Sequence, residues 1–169
     1  EAAVTKQMME ERGIDTTRII ISEPDTIQKF RSHALKTIDM YEKTPKGDRP
    51  PMLFILDSLG LLSTEKELAD SMEGKDVRDM TKSQLVKGTF RVLTLKLAKI
   101  DVPMLVTNHV YEVIGSYMPT KEMGGGSGLK YAASTIAYLS KKKVREGTDI
   151  TGIIIKAKMF KSRLAKENA

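Results

Sequence analysis

The sequence predicts an α/β fold, with a mainly parallel sheet flanked by helices and a C-terminal β-hairpin. Apolar strand-like segments alternate with amphipathic helical segments over the first 110 residues, which is the pattern of a parallel sheet with crossover helices. Two later runs, Thr135–Leu139 and Gly152–Ile155, are joined by Arg145–Asp149 and indicate an antiparallel hairpin. A length of 169 residues is typical of one domain with a sizeable core.

The first third of the chain predicts two helices around one strand. Residues 4–13 indicate a short helix closed by Gly13, and Arg18–Ser22 is a β-branched run typical of a strand. Ser22–Asp25 combines a hydroxyl and a proline in the manner of a helix start. The apolar residues that follow recur at helical spacing as far as Thr44-Pro45. They are Ile27, Phe30, Ala34, Ile38 and Tyr41.

The middle of the chain predicts two buried strands and a long helix. Met52–Ser58 opens with five consecutive apolar residues, which is typical of a parallel strand covered on both faces, and Met104–His109 is a second such run. Between them, apolar residues at spacings of 4, 3, 4 and 3 predict the clearest helix, which Pro103 ends. They are Val86, Phe90, Leu93, Leu97 and Ile100.

Two segments without sustained periodicity follow the two strands. Ser63–Asp79 is polar and charged and predicts a mobile loop, preceded at most by a helical turn; Val110–Met123 is irregular. Long connections of this kind are usually functional or disordered. If the strands are neighbours, Asp57 and the polar end Thr107-Asn108-His109 would lie at the same edge of the sheet as both loops.

The chemistry of this edge has more than one interpretation. An acid such as Asp57 orders Mg²⁺ in nucleotide-hydrolysing folds, but it also caps turns in many α/β proteins. Similarly, His109 taken alone is more often a satisfied, partly buried histidine. The usual partner of such an acid, Gly-x-x-x-x-Gly-Lys-Ser/Thr, does not occur in these 169 residues. Gly124–Gly128 lacks its Lys-Ser/Thr end and predicts a hinge before a helical start at residues 129–133.

Composition and charge exclude several classes of protein. No apolar run approaches the roughly 18 residues of a membrane span, so no membrane partner is expected. The absence of cysteine excludes disulfides and thiolate metal sites, and two histidines make a histidine metal site improbable. Residues 141–169 carry nine basic and three acidic side chains, which is the whole net charge of +6. This excess indicates either a polyanionic partner or a solvated edge strand guarded by lysines.

Five motifs in register resemble the RecA family of homologous-recombination ATPases, most closely its phage UvsX branch. They are Ile55–Gly60, Thr107–Glu112, Met123–Gly128, Arg145–Asp149 and Lys161–Arg163. The resemblance covers essentially the whole chain and implies that residues 1–169 form an incomplete RecA-like P-loop NTPase and DNA-binding core, with no second domain. One departure is Ile136, which replaces an arginine of the bacterial pattern and favours the phage branch.

The resemblance implies nucleotide-handling roles for six residues. Glu1 would activate the attacking water and His109 would link the γ-phosphate to the second loop, so both are assigned as catalytic. Asp57 would bind Mg²⁺ through water, with Ser58 beside it at the nucleotide. Lys161 and Arg163 would reach a neighbouring subunit's ATP across a filament interface, in the manner of an arginine finger. The implied cofactors of the full-length protein are ATP and Mg²⁺.

The resemblance also makes Ser63–Asp79 and Val110–Met123 the two DNA-binding loops. The residues expected to contact DNA are Lys66, Lys75, Arg78, Tyr111, Tyr117, Lys121, Gly124, Gly125 and Gly126. The full-length protein would form a filament on single-stranded DNA, pair it with double-stranded DNA and exchange strands during repair. It would act in the cytoplasm of a phage-infected bacterium.

We expect the 169-residue chain alone to hydrolyse no ATP, because nothing in it grips the β- and γ-phosphates. Two other interpretations are a non-enzymatic DNA-binding or filament-modulating module and the core of a related hexameric helicase. A phosphate loop roughly 20 to 30 residues upstream of Glu1 would indicate the enzyme. Lys161-Ser162-Arg163 and the glycine-bounded second loop match recombinases better than helicases.

Overall fold

The computed structural model describes residues 5–75, 79–112 and 121–163, apart from the side chains of Glu112 and Lys121. The helices in these ranges are α1 Lys6–Glu10, α2 Ile27–Lys43, α3 Glu65–Met72, α4 Lys82–Lys99 and α5 Ser127–Ala132. The strands are β1 Phe54–Leu56, β2 Met104–Val106, β3 Val110–Glu112, β4 Lys121–Met123, β5 Thr135–Glu146 and β6 Asp149–Ser162. Short 3₁₀ turns occupy Thr16–Arg18, Lys46–Asp48 and Leu59–Leu61.

The described strands form three pairs, of which one is parallel. β1 and β2 pair in parallel with Phe54 opposite Met104 and Leu56 opposite Val106, so the two predicted central strands are neighbours. β3 pairs with β4 and β5 with β6, both antiparallel. The α/β class and the C-terminal hairpin are therefore confirmed. In the part of the chain that is described, β1 and β2 are the one parallel strand pair, and a single parallel bridge joins Thr26 to Ser63.

The core lies between helices α2 and α4 and one face of β1 and β2. The apolar positions predicted from helical spacing are buried in α2 and α4, except that Tyr41 is only half-buried, and α4 also buries Thr89. Phe30 of α2 meets Phe90 of α4 with their ring centroids 6.4 Å apart. Each fully buried side chain of this size contributes roughly 1.5–3 kcal/mol through the hydrophobic effect. Core packing therefore fixes the two long helices on the sheet.

The opposite face of β1 and β2 is exposed, which corrects the prediction of strands covered on both faces. Ile55 is 63% exposed and its register partner Leu105 is 54% exposed. Successive side chains of a strand point to opposite faces, so Leu56 enters the core while Ile55 points away from it. An apolar run predicts a strand that packs in the core, but it does not indicate whether another element covers each of its two faces.

The predicted strand at Arg18–Ser22 is wrong for the described structure. Thr16–Arg18 form a 3₁₀ turn, and Ile19–Ile21 are exposed and belong to no strand. A β-branched run becomes a strand only when a partner strand takes up its backbone hydrogen bonds, and none of the described strands does so.

The start of α2 also differs from the sequence-based prediction, although the helix itself is confirmed. Thr26, rather than Ser22, is the N-cap, and its hydroxyl accepts a hydrogen bond from the Lys29 N–H at 3.2 Å. Ser22 instead bonds through Oγ to Nδ1 of His33 at 2.7 Å. Both residues are chemically able to cap, and only the folded backbone selects between them.

The C-terminal hairpin is longer than predicted. β5 continues beyond Leu139 through Lys141–Lys143, and the turn to β6 places Gly147 at a φ of +64°, a region that favours glycine. Lysine side chains on a solvated strand face do not interrupt pairing, so charge did not mark the strand's end. In the described residues, no helix combines the length and apolarity needed to cross a membrane.

Candidate nucleotide and DNA site

Asp57 and the end of β2 meet at the carboxyl edge of the parallel pair. The hydroxyl of Thr107 donates to Oδ1 of Asp57 at 2.5 Å. The main chain continues the pairing at this point, since the Leu59 N–H donates to the Thr107 carbonyl at 3.0 Å. The Asp57 carboxylate is therefore oriented by a neighbouring strand while it stays exposed to a ligand.

Ser58 provides an unsatisfied polar atom beside this carboxylate. The side chain is buried, and its Oγ has no hydrogen-bond partner among the described residues. Buried hydroxyls nearly always have a partner, so an orphaned one next to a carboxylate fits a site that takes an oxygen-rich ligand. The described residues contain no cluster of three or more metal-binding side chains. The donor offered at this edge is the single carboxylate of Asp57, and Mg²⁺ usually takes one or two carboxylates and completes its shell with water and phosphate oxygens.

Asn108 ties the end of β2 to the glycine-rich segment. Its Nδ2 donates to the Gly124 carbonyl at 2.8 Å, and its Oδ1 accepts from the His109 N–H at 2.9 Å. The Gly124 N–H in turn donates to the His109 carbonyl at 3.2 Å. The strand end that bears His109 is thus bound directly to Gly124, one of the residues predicted to contact DNA. Sequence reasoning named Asn108 only as part of a polar strand end and assigned it no role.

The first predicted loop contains a capped helix, α3, which corrects the prediction for Ser63–Asp79. The hydroxyl of Thr64 accepts from the Glu67 N–H at 3.0 Å, and the Glu67 carboxylate accepts from the Thr64 N–H at 3.0 Å. This reciprocal arrangement is a capping box. The spacing Thr64-x-x-Glu67 was present in the sequence and could have indicated the helix.

Asp79 anchors α3 to the start of α4. Its carboxylate, 4% exposed, accepts from the hydroxyl of Thr64 at 2.7 Å and from the hydroxyl and N–H of Thr81 at 2.7 and 2.8 Å. The Thr64 hydroxyl, followed by the Thr81 hydroxyl and N–H, lowers the pKa of Asp79 from 3.8 to about 2. Lys82 adds an ion pair to Glu67 at 3.0 Å.

A cleft of about 350 Å³ opens between the first loop, α4, the end of β2 and the glycine-rich segment. Its lining combines the Glu67–Lys82 ion pair with Asn108, Tyr111 and Gly124. The fold therefore brings parts of both predicted DNA-binding loops to one opening. The charged side chains of the lining are Glu67, Asp79 and Lys82, while Tyr111 contributes an aromatic ring and Asn108 a hydrogen-bonding amide.

The remaining predicted DNA contacts are distributed unevenly. Gly125 also lines the cleft, while Lys66 on α3 and Lys75 after it do not, and Lys75 pairs with Glu73 at 2.6 Å. Gly126 is the N-cap of α5. Four assignments lie outside what is described, namely Glu1, Arg78, Tyr117 and the side chain of Lys121.

Lys161 and Arg163 hold the carboxyl end of α5. Lys161 Nζ donates to the Lys130 carbonyl at 2.6 Å, and Arg163 Nη2 donates to the Tyr131 carbonyl at 2.9 Å. The last carbonyls of a helix have no intrahelical partner, and cations there satisfy them and oppose the helix dipole. Since Gly126 is the N-cap of α5, these two side chains are connected to the glycine-rich segment through one short helix.

Comparison with known proteins shows which family the chain belongs to. The model of the RecA N-terminal domain matches residues 1–168. The "Recombination and repair protein" of Enterobacteria phage T4 is 30% identical over 169 residues, which are 100% of this chain and 42% of that protein. "Protein RecA" of Mesomycoplasma hyopneumoniae (strain 7448) is 30% identical over 167 residues, 98% of this chain and 47% of that protein.

A third relative is "Protein RecA" of Leifsonia xyli subsp. xyli, 26% identical over 98% of this chain and 44% of that protein. The chain thus spans less than half the length of these three relatives. The family model nevertheless covers nearly every residue, which confirms the resemblance seen in the five motifs. This chain belongs to the RecA family.

Proposed function

We propose that the protein containing this chain is an ATP-dependent recombinase that forms filaments on single-stranded DNA and exchanges strands with double-stranded DNA during repair. The observation that carries the proposal is the carboxyl edge of β1 and β2. There the Thr107 hydroxyl donates a hydrogen bond to Asp57. The next two residues, Asn108 and His109, are both hydrogen-bonded to Gly124. A nucleotide-facing acid and a DNA-facing loop therefore share one strand end.

Asp57 and Ser58 are the residues that would face the nucleotide. The Asp57 carboxylate would hold Mg²⁺ through water, and the unpartnered Ser58 hydroxyl would find its hydrogen-bond partner in that ligand shell. When bound, Mg²⁺ would neutralise charge on the phosphates of ATP during phosphoryl transfer. Glu1 would be the general base, and Lys161 and Arg163 would contact the ATP of a neighbouring subunit.

The cleft between the two loops is where single-stranded DNA would lie. Tyr111 is 57% exposed and offers a ring for base stacking, and the backbone of the glycine-rich segment permits close approach of the DNA. The basic C-terminal region would add a salt-dependent attraction to the phosphates. The relative from a phage supports action inside an infected bacterium.

The proposal is tested with the intact protein by measuring ATP hydrolysis with and without single-stranded DNA, together with strand exchange. Asp57→Asn is expected to lower DNA-stimulated turnover about 100-fold, because a neutral amide cannot replace the charge that orders the metal. Asp48→Asn, an exposed acid in the Lys46–Asp48 turn, is the matched control and is expected to change nothing.

Each other result of this experiment has a definite meaning. Full turnover by Asp57→Asn would remove Asp57 from the nucleotide site. DNA binding without ATP hydrolysis by the intact protein would favour the non-enzymatic module, and unwinding without strand exchange would favour the helicase. Magnesium-dependent turnover by the 169-residue chain alone would contradict the expectation that it lacks a grip on the phosphates.

A further inference from the structure

The ring of His109 lies in the space that a side chain at Gly60 would occupy. Gly60 is in the 3₁₀ turn Leu59–Leu61, two residues after Ser58. A Cβ added there would lie 2.6 Å from Cδ2 of His109 and 3.5 Å from its Cγ. Cβ atoms essentially never come within 3.0 Å of another heavy atom, so His109 and any residue larger than glycine at position 60 exclude one another in this arrangement.

The requirement at Gly60 is one of space and not of backbone conformation. Five described glycines have a positive φ, and Gly60 is not among them. Alanine could therefore adopt the same backbone without strain. Gly128 is the other described glycine with a contact below 3.0 Å, but there the obstacles include a backbone atom, Cα of Lys87 at 2.9 Å. At Gly60 the sub-3.0 Å contact is to a side-chain ring that can turn.

We propose that Gly60 is a positioning residue that seats the His109 side chain against the turn Leu59–Leu61, which follows β1. The main chain of His109 is already fixed by Asn108 and Gly124, so the free variable is the direction of the ring. Because Gly60 has no side chain, the ring can turn into the space beside it. The consequence for ATP and DNA coupling rests on the proposed function, whereas the seating of the ring does not.

The seating can be observed directly because the chain has two histidines, His33 and His109. In proton–carbon NMR spectra of the 169-residue chain, Gly60→Ala is expected to move the Cδ2–H signal of His109 and to leave that of His33 in place. His109→Gln identifies the signal by removing it. Gly88→Ala is the matched control, since nothing lies within 4 Å of a Cβ at Gly88, and it is expected to move neither signal.

Two results of the NMR experiment would overturn the seating. An unchanged His109 signal in Gly60→Ala would show that the ring does not occupy this space. Loss of the folded spectrum in Gly60→Ala would show that the ring cannot yield, in which case Gly60 is required for folding and not for positioning. A displaced signal in a folded chain supports the proposal.

The functional consequence is tested by a double-mutant cycle in the intact protein. Gly60→Ala is expected to lower DNA-stimulated ATP hydrolysis about 10- to 100-fold, because displacement of a group by about 1 Å can cost 100-fold in rate. In a His109→Ala background the same change is expected to have no further effect, since the atoms it would strike are gone. Equal effects of Gly60→Ala in both backgrounds would overturn the proposal.

Failure of the proposed function is distinguishable from failure of this inference. If the unaltered intact protein shows no DNA-stimulated hydrolysis, the proposed function fails and the NMR experiment still decides whether Gly60 seats His109. If the unaltered protein is stimulated and Gly60→Ala is stimulated equally, the positioning role fails and the recombinase function stands.

Discussion

The two segments at the carboxyl edge of the sheet are held in different ways. The first segment, Ser63–Asp79, is held largely by side chains, through the Thr64–Glu67 capping box and the hydrogen bonds of Asp79. The second segment comprises residues 110–128, of which 110–112 and 121–128 are described. Those parts are held by the β3–β4 main-chain pairing and by glycines that allow close contact with α4. The described part of the first segment is therefore anchored by polar side chains, and that of the second by backbone pairing and by the close approach that its glycines allow.

This difference decides how each segment responds to change. Side-chain hydrogen bonds act locally and can be altered by removing one hydroxyl or by protonating one carboxylate. Contacts made through glycine depend on volume, so an added methyl group forces a packed helix to move. We expect substitutions in the first segment to have confined effects and those at the second segment's glycines to reach α4.

The largest effect is expected from Gly128→Ala. A Cβ at this position would lie 2.6 Å from Cβ and 2.9 Å from Cα of Lys87, so α5 would have to move away from α4. Overpacking of this kind costs about 1–3 kcal/mol of unfolding free energy, to be measured by urea denaturation. Gly47→Ala, where nothing lies within 4 Å, is the control. Equal stabilities of the two variants would show that the close approach of Gly128 to α4 does not hold the second segment.

A smaller and more local effect is expected from Thr64→Val. The change keeps the shape of this fully buried side chain but removes the hydroxyl that caps α3 and donates to Asp79. Loss of the cap is expected to cost about 1 kcal/mol and to speed amide hydrogen exchange in α3. Thr37→Val, on the accessible part of α2, is the matched control. Faster exchange in β3 and β4 as well would contradict a confined anchor.

The smallest effect is expected from the titration of Asp79. It does not act at neutral pH and appears only in acid. Its pKa is about 2 when folded and 3.8 ordinarily, so the ionised carboxylate stabilises the anchor. That stability is complete above pH 3.8 and is lost as pH falls through about 2. Protection factors of α3 amides are expected to fall over this range, and Asp79→Asn is expected to remove the dependence. An unchanged pH profile in Asp79→Asn would assign the acid sensitivity to another group.

Sequence reasoning worked where periodicity and burial coincide. The apolar spacing in α2 and α4 identified their buried faces, because a helix on a sheet buries one stripe of its surface. The two apolar runs that lead to Asp57 and His109 were also identified as strands, and they pair in parallel as neighbours. It failed at Arg18–Ser22, where strand formation depends on a partner, and at α3, whose helix start is marked by capping and not by an apolar stripe.

The candidate site was predicted in its residue types but not in its connections. Asp57 and His109 were identified from their places at strand ends. The Asn108–Gly124 bond, the buried carboxylate of Asp79 and the contact of Gly60 with His109 join residues 15 to 49 positions apart. No local pattern encodes such pairs, since they exist only once separate elements have packed.

The sequence by itself determined the family, the α/β class and the chemical character of the sheet edge, because these follow from motifs and from short-range periodicity. The tertiary structure decided how the two loops are anchored, where Lys161 and Arg163 bind and why position 60 carries glycine. Those features depend on distances between elements of a few ångströms, and it is the packing of the helices on β1 and β2 that sets those distances.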